Sequence, residues 1–122
     1  MQILIVDDAQ TDRELLARVV IGSGHQVLNA ADGKEAISLA KVHKPGLIFL
    51  DVVMPSMDGF ATCRALKKDP DTAAIPVVLV TTKGADSDKF WGKKQGADDH
   101  IAKPWTKDTI EGVIRRFAGG RP

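Results

Sequence analysis

Residues 3–8 read Ile3-Leu4-Ile5-Val6-Asp7-Asp8, four apolar residues followed at once by two acids. Two more runs of four apolar residues, rich in valine, isoleucine and leucine, stand at Leu47–Leu50 and Val77–Val80. Apolar runs without polar alternation are typical of strands buried on both faces of a parallel sheet. Weaker strand patterns occupy Gln26–Asn29 and His100–Ala102. The sequence therefore predicts five short strands.

Longer segments with helical spacing separate these strands. Apolar stripes predict helices over 12–21, 34–42, 58–67 and 107–117; the first stripe consists of Leu15, Leu16, Val19 and Val20. A further helix is predicted over 86–95, although it contains a glycine. Alternating strands and helices predict an α/β fold, a doubly wound five-stranded parallel sheet in the order 2-1-3-4-5 with helices on both faces.

The composition is that of one ordinary domain. The chain has 122 residues, with 17 Lys plus Arg against 16 Asp plus Glu and a net charge of +1, which gives no support for nucleic-acid binding. No apolar run approaches the roughly 20 residues of a membrane helix, and the first residues lack the features of a secretory signal. Cys63 is the single cysteine, which excludes an internal disulfide. We expect one domain over residues 1–118, a flexible tail over 119–122 and a cytoplasmic location.

Acids, hydroxyls and a lysine stand where the predicted strands end. In chain order they are Asp7 and Asp8 after the first strand, Asp51 after the third, Thr81 and Thr82 after the fourth, and Lys103 after the fifth. Ligands of doubly wound sheets bind beyond the carboxyl ends of the strands, where the strand order switches. In the predicted order the switch lies between the first and third strands, so we expect these side chains to converge there.

The expected cluster suits a divalent cation and a phosphoryl group. Taken singly, each aspartate is equally well explained as a cap or turn residue. Together, however, Asp7, Asp8 and Asp51 would repel one another unless a cation such as Mg²⁺, which takes about six oxygen ligands, neutralised them. Lys103 could pair with phosphoryl oxygens while Thr81 donates a hydrogen bond to them. A carboxylate can also act as the nucleophile and form an aspartyl phosphate.

The motifs together resemble the receiver domain of two-component response regulators, the CheY-like family. They are Ile3-Leu4-Ile5-Val6-Asp7-Asp8, Leu50-Asp51-Val52-Val53-Met54-Pro55-Ser56-Met57-Asp58-Gly59, Val80-Thr81-Thr82 and Lys103-Pro104. Each motif alone is weak, but the combination is specific, and the resemblance extends from Ile3 to Phe117. It implies a flavodoxin-like, three-layer sandwich. Shorter stretches, residues 88–97 and 24–27, resemble stand-alone receivers of type IV pilus (twitching) chemosensory systems.

The resemblance implies a role for each residue of the cluster. Asp51 would be the phosphoacceptor, Asp7 and Asp8 the acidic pair that holds Mg²⁺ with the backbone carbonyl of Val53, Thr81 the switch hydroxyl, and Lys103 the phosphoryl-binding lysine. The chain would then be a stand-alone response regulator, monomeric or weakly dimeric, phosphorylated by a sensor histidine kinase. It would not be an enzyme in the usual sense, but would assist its own phosphorylation and dephosphorylation.

The resemblance also implies a surface that changes with phosphorylation. A downstream protein target would bind the face formed by the predicted fourth helix, the fifth strand and the last helix, where Thr82, Trp91, His100 and Trp105 are the candidates. Ordinary packing is the alternative role for both tryptophans. His100 departs from the family, which often has tyrosine or phenylalanine at this position. Either the switch is read differently here, or another element carries it.

Other functions are compatible with the predicted fold. Aspartyl-phosphate phosphatases pair their nucleophile with an acid two residues later, but Val53 stands there after Asp51 and Ala9 after Asp7. A flavodoxin-like FMN carrier needs a hydroxyl- and glycine-rich loop after the first strand, which is acidic here. A receiver could also serve as a phosphate sink that drains its kinase, or as a docking module independent of phosphorylation, which His100 keeps open.

Overall fold

Five parallel strands form the sheet of the computed structural model, which describes residues 1–82 and 93–118. The strands are β1 (Gln2–Val6), β2 (Gln26–Ala30), β3 (Leu47–Asp51), β4 (Val77–Thr81) and β5 (Asp99–Ala102). Their order is β2-β1-β3-β4-β5, as predicted. Each strand is one residue longer than predicted. Asp51 and Thr81 are therefore the last residues of β3 and β4, whereas the prediction placed them directly after these strands.

Helices cover both faces of the sheet and so explain the continuous apolar runs. Those described are α1 (Gln10–Gly22), α2 (Gly33–His43), α3 (Gly59–Lys68) and α4 (Lys107–Ala118). Along β1, Leu4 and Val6 pack into the cluster that includes α2 and α3, whereas Ile3 and Ile5 pack into the cluster that includes α1 and α4. Since successive strand residues point to opposite faces, both faces must be apolar. Residues 83–92, with most of the helix predicted over 86–95, and the tail 119–122 lie outside the described residues.

Helix starts follow the capping chemistry of the sequence. The side chain of Asp32 accepts a hydrogen bond from the Glu35 amide at the start of α2, and Asp58 accepts one from the Ala61 amide at the start of α3, both at 2.8 Å. The first helix instead begins after Ala9, which has no side-chain cap, and it starts two residues before its predicted bound. Neither Asp7 nor Asp8 is therefore needed as the cap of α1.

Leu15 was wrongly placed in the buried stripe of the first helix. Leu16 and Val20 form the buried centre of that stripe, while the side chain of Leu15 is 48% exposed. Adjacent residues on a helix point about 100° apart, so a helix that buries a narrow stripe leaves one of each neighbouring pair outside. Leu15 thereby faces the edge of the sheet where the strands end, beside Lys103 and Trp105.

Cys63 lies in the middle of α3 and is fully buried in the core. Its thiol lies 3.6 Å from the carbonyl oxygen of Gln95. Burial raises the pKa of this thiol to about 11, so that it stays protonated at neutral pH.

Among the described residues, no helix is both long and apolar enough to cross a membrane.

Candidate functional site

The carboxyl ends of the central strands bring the predicted residues together. Asp51 ends β3 and pairs in register with Val80 of β4, one residue before Thr81. Thr81 in turn pairs with Ala102 of β5, one residue before Lys103, whose amide donates to the Thr81 carbonyl oxygen at 2.6 Å. The peptide bond from Lys103 to Pro104 is cis. The backbone register alone thus places the acid, the hydroxyl and the lysine on adjacent strands.

Asp7, Asp8 and Asp51 form the acidic cluster at this edge. Each offers a carboxylate oxygen, and these oxygens all lie within 4.8 Å of one another. Asp7 and Asp51 are only 7% and 5% exposed, whereas Asp8 faces solvent. Two buried carboxylates and one exposed carboxylate in so small a volume repel each other strongly at neutral pH.

Asp7 is held by hydrogen bonds on every side. Its Oδ1 accepts from the amide of Ala9 at 2.9 Å, and its Oδ2 accepts from Lys103 Nζ at 3.1 Å. Its carbonyl oxygen accepts from Arg13 Nη1 at 2.6 Å, and its amide donates to the carbonyl of Ala30 at 3.1 Å. Both carboxylate oxygens of Asp7 are therefore engaged. No described residue donates a hydrogen bond to the carboxylate of Asp8.

Lys103 places its ammonium group among the acids. Its Nζ lies 3.3 Å from Asp51 Oδ1 and 3.4 Å from Asp12 Oδ2, in addition to its contact with Asp7. Burial on its own would lower the pKa of Lys103, but the charges of Asp51, Asp7 and Asp12 together outweigh it and raise that pKa. Lys103 is thus a permanent cation in the resting site.

Asp51 carries the unsatisfied atom of the site. Its Oδ1 is buried and, despite the ion-pair distance to Lys103, accepts no hydrogen bond from the described residues. Burial, and next the neighbouring charge of Asp7, raise the pKa of Asp51 to about 6. A buried acceptor without a partner is costly, and such groups occur mainly where an ion, water or ligand completes them.

These residues fit Mg²⁺. The cluster supplies carboxylate oxygens, the ligands that this hard cation prefers, and the buried Oδ1 of Asp51, which accepts no hydrogen bond from the described residues, keeps its lone pairs available to coordinate a cation. Asp8 is accessible from solvent and, unlike Asp7, has no hydrogen bond from a described residue to lose on binding a cation. Asp8 and Asp51 are therefore better placed than Asp7 to contact an ion directly.

Replacing Asp51 by asparagine should stabilise the metal-free protein. The pKa of Asp51 in the folded protein, about 6, lies above the ordinary aspartate pKa of 3.8, so ionised Asp51 destabilises the fold above pH 6. This destabilisation fades as the pH falls through 6 toward 4, where the folded carboxyl is protonated. Since one pH unit of pKa difference is worth about 1.4 kcal/mol, Asp51→Asn should raise the free energy of unfolding by about 1–3 kcal/mol at pH 8.

Urea unfolding with EDTA at pH 8 and pH 5 would measure this gain. The gain in the free energy of unfolding should be smaller at pH 5 than at pH 8. In parallel experiments with Mg²⁺ in place of EDTA, the ion should stabilise the wild-type protein more than the variant. Asp71→Asn, which removes a charge at an exposed position, is the matched control and should change neither quantity. An Asp51→Asn variant no more stable than wild type at pH 8 would show that the cluster is not strained.

The segment after β3 shapes the wall of the site. Val53 follows the acceptor strand by two residues and is 67% exposed, so its side chain contributes little to the core. The amide of Gly59 donates to the carbonyl oxygen of Val52 at 2.8 Å, which ties the start of α3 to the end of β3. A Cβ atom on Gly59 would lie 2.3 Å from the carbonyl oxygen of Asp51 and 2.7 Å from Val52 Cα. Any larger residue at this position would clash with the backbone of the acceptor strand, so glycine is required here.

Two of the residues predicted to form the partner face, Thr82 and Trp105, lie at the same edge. Thr82 is exposed, and Trp105 is partly exposed and packs against the core cluster of α1 and α4. Both line an open cavity of about 520 Å³ that continues to Lys103. His100 lies further down β5 and is half-buried. Trp91 lies outside the described residues.

Asp12 and Arg13 belong to the site but were not predicted as site residues. Both stand in the first turn of α1, where Arg13 contacts Asp7 and Asp12 contacts Lys103. The sequence offered one signal for them. Because the helix follows the first strand within a few residues, its first turn must lie beside the strand end.

Comparison with known proteins agrees with this geometry. The family model of the response regulator receiver domain matches residues 3–115. Protein PilH of Pseudomonas aeruginosa is 44% identical over 119 residues, which cover 98% of each chain. The probable transcriptional regulator ycf27 of Cyanophora paradoxa is 38% identical over 114 residues, 93% of this chain but 46% of the longer protein.

Solved structures show the same architecture. The chemotaxis protein CheY4 of Vibrio cholerae has 30% sequence identity and a TM-score of 0.89, over 95% of this chain and 97% of the other. The family match therefore covers nearly the whole chain, and the fold and the strand order agree with it. This chain belongs to the response regulator receiver domain family.

Proposed function

We propose that the chain is a stand-alone response regulator in which Asp51 accepts a phosphoryl group from a sensor histidine kinase. The observation that carries the proposal is the buried Oδ1 of Asp51, which accepts no hydrogen bond from the described residues and lies beside the ammonium of Lys103 and the two acids that follow β1. The identity with Protein PilH over nearly the full length of both chains supports a receiver that works without an attached output domain. The narrower sequence resemblance favours a type IV pilus chemosensory system.

Phosphoryl transfer would use the groups already in place. A carboxylate oxygen of Asp51 forms a bond to phosphorus while the bond from phosphorus to the donor breaks, and the electron pair leaves with the donor. Lys103 lies within 3.3 Å of Asp51, where its charge can balance the phosphoryl oxygens. Thr81, which is buried at the end of the neighbouring strand, would donate its hydroxyl to a phosphoryl oxygen. Such reactions need positioning and charge neutralisation more than covalent help from the protein.

Mg²⁺ would be held by Asp8, Asp51 and the backbone carbonyl of Val53, with Asp7 beside them. When bound, it would neutralise charge on the acids and on the phosphoryl oxygens. The chain would thus be a phosphoacceptor that assists its own phosphorylation and dephosphorylation, rather than an enzyme acting on a separate substrate.

The output would be a change in affinity for a protein partner. The added charge on Asp51 would bias the segments that carry Thr82, His100, Trp91 and Trp105 between two arrangements. Thr82 and Trp105 border a cavity that reaches Lys103, which supports a connection between the acceptor and this face. A phosphate sink that drains its kinase, or a docking module that needs no phosphorylation, is the alternative for a chain with histidine at position 100. We expect a monomer or weak dimer.

Intact-protein mass after incubation with acetyl phosphate and Mg²⁺ tests the proposal. We expect a single phosphoryl adduct on the wild-type protein, because acetyl phosphate is an activated phosphoryl donor that needs no kinase. The adduct should be absent without Mg²⁺ and absent in Asp51→Asn. Asp71→Asn, an exposed aspartate away from the site, is the matched control and should carry the adduct.

The outcomes separate the candidate functions. An adduct that survives in Asp51→Asn would contradict the assignment of the acceptor. A folded wild-type protein that binds Mg²⁺ but gains no adduct from acetyl phosphate or from a panel of histidine kinases would favour the docking module. An adduct whose formation changes no partner affinity would favour the phosphate sink.

A further inference from the structure

Three carboxylates surround the ammonium of Lys103, and the third comes from α1. Lys103 Nζ lies 3.1 Å from Asp7 Oδ2, 3.3 Å from Asp51 Oδ1 and 3.4 Å from Asp12 Oδ2. The first two acids are buried, whereas the side chain of Asp12 is 49% exposed. Asp12 therefore reaches the ammonium from the open side of the site, where it also lines the cavity shared with Trp105.

The charges at this edge oppose an incoming phosphoryl donor. Four carboxylates, those of Asp7, Asp8, Asp51 and Asp12, face two cations, Lys103 and Arg13. Phosphoryl donors are themselves anionic, and the ammonium of Lys103 must turn toward their oxygens to neutralise them. Each carboxylate that already holds the ammonium competes with the donor for it.

Asp12 differs from Asp7 and Asp51 in how little it would lose if Lys103 turned toward a phosphoryl donor. Asp51 is the proposed acceptor, and Asp7 is fixed by four hydrogen bonds. Asp12 is held by the backbone of a helix, and water can replace Lys103 as its partner at little cost because its carboxylate is half exposed. Its contact with Lys103 can therefore be exchanged, which makes it suited to tune the reaction without being required for it.

We propose that Asp12 is a positioning residue that competes with the phosphoryl group for the ammonium of Lys103 and so slows phosphorylation of Asp51. This inference rests on the proposed function. Asp12 touches neither the phosphorus nor the acceptor oxygen and acts through Lys103. A receiver with a negatively charged residue at this point of α1 would respond less to small phosphorylated metabolites.

The rate of phosphorylation by acetyl phosphate tests this role. Asp12→Asn should react about two- to five-fold faster than the wild-type protein at low ionic strength, the range expected for loss of one partly exposed ion pair. The gain should shrink toward unity in 1 M KCl, where the screening length is only about 3 Å. A merely structural effect of the substitution would not depend on salt in this way.

Two variants serve as matched controls. Asp12→Glu keeps the charge within reach of Lys103 and should react at the wild-type rate. Glu14→Gln removes the same charge from an exposed position of the same helix, where the side chain contacts Gln10 rather than Lys103, and should also react at the wild-type rate. Affinity for beryllium fluoride, an unreactive phosphoryl mimic, measured by calorimetry with Mg²⁺, should rise in Asp12→Asn by the same factor as the rate.

The results separate this inference from the function on which it rests. If the wild-type protein is phosphorylated but Asp12→Asn reacts at the same rate or more slowly, the competition is refuted and the proposed function stands. An equal gain in Glu14→Gln would also refute it, because the effect would then come from the general field of the helix. A wild-type protein that neither forms the adduct nor binds beryllium fluoride would overturn both.

Discussion

Replacing Lys103 by methionine should slow phosphorylation of Asp51 by acetyl phosphate by about 100-fold or more, the usual cost of removing one preorganised partner of a developing charge. Methionine keeps the length and apolar stem of lysine but removes the ammonium that lies 3.1 Å from Asp7 and 3.3 Å from Asp51. The variant would leave the acidic cluster without the cation that now lies within it. The pseudo-first-order rate of adduct formation, followed by intact mass, gives the measurement.

Two effects of the substitution must be separated. Lys103 holds down the pKa of Asp51, so the variant will have less ionised acceptor near neutral pH. A rate defect that persists at pH 8.5 is a defect in charge stabilisation and not in ionisation. Since the ammonium and Mg²⁺ compete for the same acids, Lys103→Met should bind Mg²⁺ more tightly, which would show that the site is still formed.

Lys68→Met is the matched control, because Lys68 is exposed at the end of α3 and makes no contact with the site. It should react at the wild-type rate. A folded Lys103→Met protein with less than a three-fold defect at both pH values would remove Lys103 from the phosphoryl site.

Replacing Gly59 by alanine should destabilise the fold by about 2–3 kcal/mol, at the upper end of the cost of overpacking. The added Cβ would lie 2.3 Å from the carbonyl oxygen of Asp51 and 2.7 Å from Val52 Cα. Both are backbone atoms of the segment that carries the acceptor, so neither can rotate away. Relief requires α3 to move away from the end of β3, which would break the hydrogen bond from the Gly59 amide to the Val52 carbonyl.

Urea unfolding of Gly59→Ala beside Gly22→Ala would measure this cost. Gly22 is the last residue of α1, and a Cβ there meets no heavy atom within 4 Å, so alanine should be neutral or stabilise by up to about 1 kcal/mol. Since the clash involves the carbonyl of Asp51, the Gly59 variant should also bind Mg²⁺ more weakly. Equal stability of the two variants would mean that α3 is not fixed to the acceptor strand as tightly as the structure shows.

The strands and their order could be predicted because burial on both faces leaves a plain pattern in the sequence. Leu47–Leu50 and Val77–Val80 contain no polar residue, and acids or hydroxyls follow them at once. The order 2-1-3-4-5 then places Asp51, Thr81 and Lys103 on adjacent strand ends. To predict that these residues converge therefore required only the sheet topology and no knowledge of side-chain directions.

The parts that could not be predicted depend on side-chain direction. The exposure of Leu15 follows from which face of α1 meets the sheet, and an apolar stripe two residues wide does not settle that. Two contacts of the site also could not be predicted. Asp12 and Lys103 are far apart in the chain, and Arg13 contacts a backbone atom of Asp7 rather than its side chain. The starts of α2 and α3, which aspartate side chains cap, lie one residue from their predicted positions, whereas the uncapped start of α1 lies two residues before its predicted position.

The burial of Cys63 has a practical consequence for studying this protein in solution. The thiol is fully buried and protonated at neutral pH, and the chain has no other cysteine. Maleimide reagents attack exposed thiolates, so the wild-type chain should be nearly inert to them while folded. A cysteine introduced at the exposed Thr82 would then be the single reactive position, and a fluorophore attached there would report on the cavity beside Lys103 without any need to remove the native thiol.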